Sequence, residues 1–186
     1  MRTFIAIDLD EKIRQQLTAL ESRLKPRCPP MKWVDPRQIH ITIKFLGEIT
    51  DQQITPIARA LDELAGQCEP LYIGVGTLGT FNPTGAVKVV WVGLQDATGR
   101  LAQYHARCEQ LLEPLGFPPE GRKFSPHLTL ARNNDVRNSG QIRSVLEAEP
   151  PLQVGMQAIT GLTFYQSTLT PKGPIYAALS RHQFAG

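Results

Sequence analysis

The stretch His127-Leu128-Thr129-Leu130-Ala131-Arg132 is echoed in the first half of the chain by His40-Ile41-Thr42-Ile43-Lys44-Phe45. In both, a histidine and a threonine stand two residues apart with branched apolar residues between and after them. A strand points successive side chains to opposite faces, so residues i and i+2 share one. His40 and Thr42 then face one side, and Ile39, Ile41 and Ile43 the other. His127 and Thr129 do the same over Leu128 and Leu130. Each stretch presents an imidazole and a hydroxyl on the open face of a sheet with an apolar back. Two such stretches in one small protein point to a pair of histidines facing each other across a cleft.

The chain around them has 186 residues, enough for one large domain or two small lobes. Its hydrophobic fraction of 41% and charged fraction of 20% are ordinary for a globular protein. The net charge is +3, which permits a polyanionic ligand without requiring one. Lys32, Arg37 and Lys44 flank the first motif; Arg122, Lys123 and Arg132 flank the second. On charge alone these read as a solvated rim rather than a funnel for a phosphate chain. Cys28, Cys68 and Cys108 form no Cys-x-x-Cys pair, which suits free thiols in a reducing compartment. Neither a signal segment nor a membrane span is recognisable, and a cytoplasmic location is expected.

In chain order, residues 2–9 read as a buried strand. Ile13, Leu17, Leu20 and Leu24 then recur at helical spacing over 11–25, with Asp10 as its cap. Lys32-Trp33-Val34 is a short extended piece before the first motif strand, 39–46, which Gly47 closes. Thr50 and Gln53 form a capping box for a helix near 51–65 that tolerates Pro56 and stops at Gly66. Strands at Leu71–Phe81 and Val87–Leu94 form an antiparallel ribbon, turned at Asn82–Gly85. A helix over 97–115 ends at Gly116. Pro126 opens the second motif strand, because it has no N–H for a ladder. Residues 133–141 read as an exposed loop and 141–148 as a short helix. Two strands, 153–165 and 174–182, close the chain around a turn at Thr170–Gly173. The second half loosely repeats the first. The expected architecture is α+β and two-lobed, with pseudo-two-fold symmetry and a cleft between the lobes. Each lobe is a mostly antiparallel sheet covered by helices, and residues 1–186 form a single bilobal domain.

Two imidazoles on one ligand suit paired acid–base work, one removing a proton from a nucleophile and the other giving one to a leaving group. The threonine hydroxyls can hydrogen-bond an anionic oxygen, and Arg132 can hold a phosphate with two parallel bonds. Strict alternation puts Arg132 on the back face, so it must lie past the strand end or after a bulge. Phe45 is core by parity, yet sits at the strand end where a base could stack. A lone histidine in a strand is more often structural than catalytic; the matched pair tips the balance. Two histidines give too few ligands for a closed metal site. No Gly-x-Ser-x-Gly elbow, Walker loop or Gly-x-Gly-x-x-Gly is present. His105 reads as packing or surface, His182 as exposed, and Trp33 and Trp91 as packing residues.

The paired His-x-Thr strands resemble those of the two-histidine (2H) phosphoesterases. The chain is most similar to the RNA 2′,3′-cyclic phosphodiesterases, historically the LigT-like 2′-5′ RNA ligases. Residues His40–Gly47 and Pro126–Arg132 carry the likeness, with Arg2–Ile7, Trp33-Val34, Val90–Leu94 and the Ser167–Tyr176 hairpin. The resemblance implies a two-lobed fold and metal-free, cofactor-free hydrolysis of an RNA 2′,3′-cyclic phosphate to a 2′-phosphate and a 3′-hydroxyl. It implies His40 as general acid and His127 as general base. Thr42, Thr129 and Arg132 would bind phosphate, and Phe45 would stack on the terminal base. Three alternatives stay open: reversible 2′-5′ RNA ligase or nuclease chemistry at the same site, a phosphodiesterase of small cyclic nucleotides, and a non-catalytic RNA-end binding module. No membrane association and no obligate protein partner are implied, and a monomer is the default expectation.

Overall fold

The computed structural model describes every residue except Pro83 and Lys172. The turns expected at 82–85 and 170–173 run through these two and fall outside the described residues. The helices are α1 (Glu11–Leu24), α2 (Asp51–Gln67), α3 (Arg100–Leu112) and α4 (Ser139–Glu147). The strands are β1 (Arg2–Ile7), β2 (Lys32–Trp33), β3 (Ile41–Glu48), β4 (Leu71–Thr80), β5 (Val89–Gln95), β6 (His127–Arg132), β7 (Gln153–Ile159), β8 (Gly161–Thr170) and β9 (Gly173–Gln183). They form two antiparallel sheets, ordered β3-β1-β8-β9 and β2-β6-β5-β4-β7. The α+β, two-lobed arrangement is as the alternating and helical patterns predict.

Each helix buries the stripe its spacing requires. Ile13, Leu17, Leu20 and Leu24 of α1 are fully buried, as are Ile57, Leu61 and Leu64 of α2. Thr50 and Gln53 form the expected capping box. Gly116 stops the third helical segment at φ +93°, a backbone angle that only glycine adopts freely. Cys28, Cys68 and Cys108 are free thiols, and burial pushes Cys68 up to about 11 and Cys108 up to about 12.

Several expectations need correction. Helix α2 runs through Gly66 to Gln67. Asp10 occupies the N-cap of α1 without capping it, because its carboxylate accepts from the Ala158 N–H of β7 instead. The strand expected at 153–165 is two strands, β7 and β8, in different sheets. The stretch 133–141 is exposed at Asn134, Val136, Arg137, Gly140 and Gln141 as expected, but α4 already begins at Ser139 and the start is anchored: Asn133 is buried and its Nδ2 donates to the carbonyls of Val87 and Asp135 at 2.8 Å each. His182 is buried rather than exposed, its Nδ1 2.5 Å from Asp62 Oδ1 of α2 and its Nε2 2.7 Å from Ser180 Oγ.

The two sheets are interlaced in sequence. The hairpin β4–β5 from the first half pairs with β6, while β8–β9 from the second half pairs with β1. The short β2, just before the first motif, pairs with β6 of the second. Each sheet therefore contains strands from both halves of the chain.

Candidate active site

Between the open faces of the sheets lies a cavity of about 650 Å³. His40, Thr42 and Phe45 line it from one side and His127, Thr129 and Arg132 from the other. All six residues singled out by the paired motifs thus share one cavity.

Arg132 and Phe45 reach it by the same device. In β6, Ala131 pairs with Val90 and Thr129 with Trp91, so Leu130 is the extra residue of a β-bulge. In β3, Lys44 pairs with Ile5 and Thr42 with Ala6, so Ile43 is the extra residue at the equivalent position. A bulge resets the side-chain alternation. Leu130 and Ala131 are both buried and Arg132 emerges on the cleft face. Ile43 and Lys44 are both buried and Phe45 emerges, 58% exposed. The site is thus built on His, Thr at +2 and a third side chain at +5. That third group is aromatic in one lobe and a guanidinium in the other.

The same bulge sends Lys44 inward. It is not a rim residue: Nζ lies 2.7 Å from Glu109 Oε2 and donates to the Pro118 carbonyl at 2.9 Å, with both side chains buried. Of the other flanking cations, Lys32 and Arg132 line the cavity, with Arg2. Arg37 pairs with Asp35 and points into solvent.

Both imidazoles are tethered alike. His40 Nδ1 lies 2.8 Å from the Gln38 carbonyl, and His127 Nδ1 2.8 Å from the Ser125 carbonyl. A carbonyl can only accept, so Nδ1 carries a proton in each ring and Nε2 is left for the cleft. For His40 the tether rests on the turn 36–39. Arg14 of α1 clamps that turn, its Nη1 donating to the carbonyls of Pro36 and Arg37 at 2.9 and 2.8 Å. Phe4 stacks on the His40 ring at 4.8 Å and Tyr176 meets it edge-on at 5.4 Å. His127 receives the edge contact of Phe81 at 4.7 Å. Burial lowers the pKa of both histidines, the carbonyl tethers partly opposing it; Arg132 lowers that of His127 further.

Sequence reasoning missed Arg14, Phe4 and Tyr176. Arg14 has the spacing of a solvent-face helix charge, and Phe4 that of a core strand residue; neither carries a signal of its own. Tyr176 lay within the hairpin that carries the family likeness, which was its only mark. His105 is a packing residue, stacked on Phe124 at 4.0 Å. Trp33 lines the cavity instead of being purely packed.

This arrangement defines a class, and sequence comparison agrees with it. The family model described as LigT like Phosphoesterase matches twice in tandem, over residues 7–91 and 92–176. The chain belongs to the LigT-like family of two-histidine phosphoesterases, and at that level it is a phosphoesterase. Among curated relatives, an RNA 2′,3′-cyclic phosphodiesterase of Thermotoga maritima is 33% identical over 187 residues, covering 100% of this chain and 97% of its own. One of Aeropyrum pernix is 34% identical over 164 residues, covering 88% of this chain and 92% of its own. Among solved structures, one of a Thermus thermophilus protein superposes with a TM-score of 0.79 at 30% identity, over 99% of this chain and 98% of that one. E. coli LigT complexed with 3′-AMP gives 0.74 at 25% identity, over 100% and 98%.

Proposed function

We propose that the protein is an RNA 2′,3′-cyclic phosphodiesterase working by two-histidine acid–base catalysis. His127 Nε2 takes a proton from water as its oxygen attacks phosphorus. The P–O3′ bond breaks and His40, protonated at Nε2, gives its proton to O3′. The product carries a 2′-phosphate and a 3′-hydroxyl. Thr42 and Thr129 hydrogen-bond the non-bridging oxygens, Arg132 balances the charge that builds on them, and Phe45 stacks on the terminal base. The strained five-membered ring needs an aligned water and a protonated leaving oxygen, which these side chains can supply.

The observation that carries this reading is the matched tethering of the two imidazoles by the carbonyls two residues before them, over one cavity that also takes in both threonines and Arg132. The relatives named as RNA 2′,3′-cyclic phosphodiesterases and the 3′-AMP bound by E. coli LigT support it. Because the cavity draws on both halves of the chain, residues 1–186 are read as one catalytic unit. The test is incubation in EDTA with a short RNA ending in a 2′,3′-cyclic phosphate. Conversion to a 2′-phosphate end is expected. Conversion only after a divalent ion is added would make the histidines metal ligands, and no conversion in either condition would leave a binding role.

A further inference from the structure

Arg14 stands at the centre of a hydrogen-bond cluster that the proposed chemistry does not use. Its guanidinium donates to carbonyls on two separate segments. Nε reaches Leu9, in the link between β1 and α1, at 3.2 Å. Nη1 reaches Pro36 at 2.9 Å, Arg37 at 2.8 Å and Ile39 at 3.4 Å. A planar fork spans two segments in this way; a lysine ammonium is a point donor on a flexible stem. The two segments are those that set the His40 ring. β1 carries Phe4, which stacks on the ring, and the turn 36–39 carries the Gln38 carbonyl that faces Nδ1.

The turn needs bracing. It is a single 3-10 turn, closed by Gln38 N–H on the Asp35 carbonyl at 2.7 Å and by Ile39 N–H on the Pro36 carbonyl at 3.4 Å. Such turns have poorer hydrogen-bond geometry than an α-helix. Gln38 adds a second brace from the far side. Its Nε2 donates at 2.8 Å to the carbonyl of Pro174, two residues before the Tyr176 that meets the His40 ring edge-on. The other histidine is held more simply. His127 Nδ1 is tethered to the Ser125 carbonyl, but among the described residues the nearest side-chain donation to a preceding carbonyl is that of Lys44 to Pro118.

A carbonyl only accepts, so the tether keeps the proton of the neutral ring on Nδ1. That suits an acid. When His40 gives up its Nε2 proton it is left as the Nδ1–H tautomer, the form the Gln38 carbonyl favours. A loosened carbonyl lets the ring turn and divide between tautomers, and the proton to be given no longer faces the cleft. We infer that Arg14 is the positioning residue of the general acid: through the backbone of the turn 36–39 it fixes the tautomer and direction of the His40 ring without touching substrate. The inference rests on the two-histidine reading and adds to it a residue outside the cleft.

The experiment follows both imidazoles by long-range ¹H–¹⁵N spectra at about pH 8, where burial leaves them neutral. R14M removes every donor and R14K returns one. The wild type is expected to show His40 and His127 both as Nδ1–H. R14M should turn His40 into a mixture of tautomers and leave His127 unchanged, with R14K between. On an RNA with a 2′,3′-cyclic phosphate end, R14M should lower kcat about tenfold or more with KM within about twofold, and R14K should recover part of the loss. A wild-type His40 held as Nε2–H, an R14M variant that keeps Nδ1–H, equal changes at both histidines, or a loss confined to KM would each overturn the inference. Should R14M not fold, R14Q, which keeps one amide donor, is read against R14K by the same two measures. The tautomer does not depend on turnover. A wild type that leaves the cyclic phosphate intact would sink the hydrolysis reading, while the spectra would still decide whether Arg14 sets the His40 ring.

Discussion

Replacing Lys44 by methionine keeps the aliphatic stem and removes a cation buried against Glu109, their charged atoms 2.7 Å apart. Only 2% of the Lys44 side chain and 7% of Glu109 reach solvent, so water cannot stand in for the lost partner. Breaking a buried pair from one side costs about 3–5 kcal/mol, because the remaining charge stays buried. The lower end applies here. Glu109 keeps the Glu120 N–H at 3.2 Å and lies 3.4 Å from His105 Nε2. About 3 kcal/mol lowers the melting temperature of a chain this long by about 6–12 °C. E109Q should cost a similar amount by stranding the ammonium. The double variant K44M/E109Q buries no net charge and should return to within about 1 kcal/mol of wild type. Urea unfolding followed by circular dichroism, with calorimetry alongside, measures all three. A double variant that loses the sum of the single losses, or a K44M loss under about 1 kcal/mol, would refute the argument that a buried charge needs its partner here.

Four further outcomes follow from the geometry. H40A and H127A should each lower turnover of a cyclic-phosphate RNA by about 10²–10⁴-fold with unchanged melting temperature, and a variant with full activity would remove its histidine from the mechanism. The base must be deprotonated, so activity rises with pH through the His127 pKa; the acid must be protonated, so activity falls through that of His40. Burial lowers both from an ordinary 6.5, so the kcat/KM profile should be bell-shaped with its optimum on the acid side of that value, and an optimum near about pH 8 would contradict it. F45A should raise KM for an RNA end by about tenfold through lost stacking, while chemical denaturation shows under about 0.5 kcal/mol of change, as expected for an exposed side chain. T77G should relieve a strained backbone worth about 1–3 kcal/mol, less about 1 kcal/mol for the added glycine freedom, and a lower melting temperature than wild type would show that φ +66° is not strained.

Much of this site was legible because a strand leaves a simple trace: His and Thr at i and i+2, with apolar residues between. The helices were legible for the same reason at a longer period. The bulges were not. Ile43-Lys44 and Leu130-Ala131 read as ordinary steps of an alternating strand, and only the pairing with Ile5–Ala6 and Val90–Trp91 exposes the extra residue. Lys44 therefore read as a rim cation, although the reset alternation buries it. The break between β7 and β8 was hidden because a single residue, Thr160, separates the two strands. Its one local signal is Gly161, where a β-carbon would come within 2.5 Å of the His182 carbonyl. His182 looked exposed because it follows Arg181 near the chain end; that α2 would cover it is a tertiary fact with no local trace.

The interlacing of the two sheets bears on how such a chain can come about. The tandem matches at 7–91 and 92–176 mark two copies of one unit, yet each copy lends its hairpin to the other's sheet. A chain of one unit could complete its sheets only by trading hairpins with a twin, and its two histidines would then be identical. Joining the twins end to end makes the partnership permanent and releases the copies from sameness. One could then keep an arginine at the fifth place after its histidine and the other a phenylalanine, so that a symmetrical clamp became a cleft with a cationic side and an aromatic side.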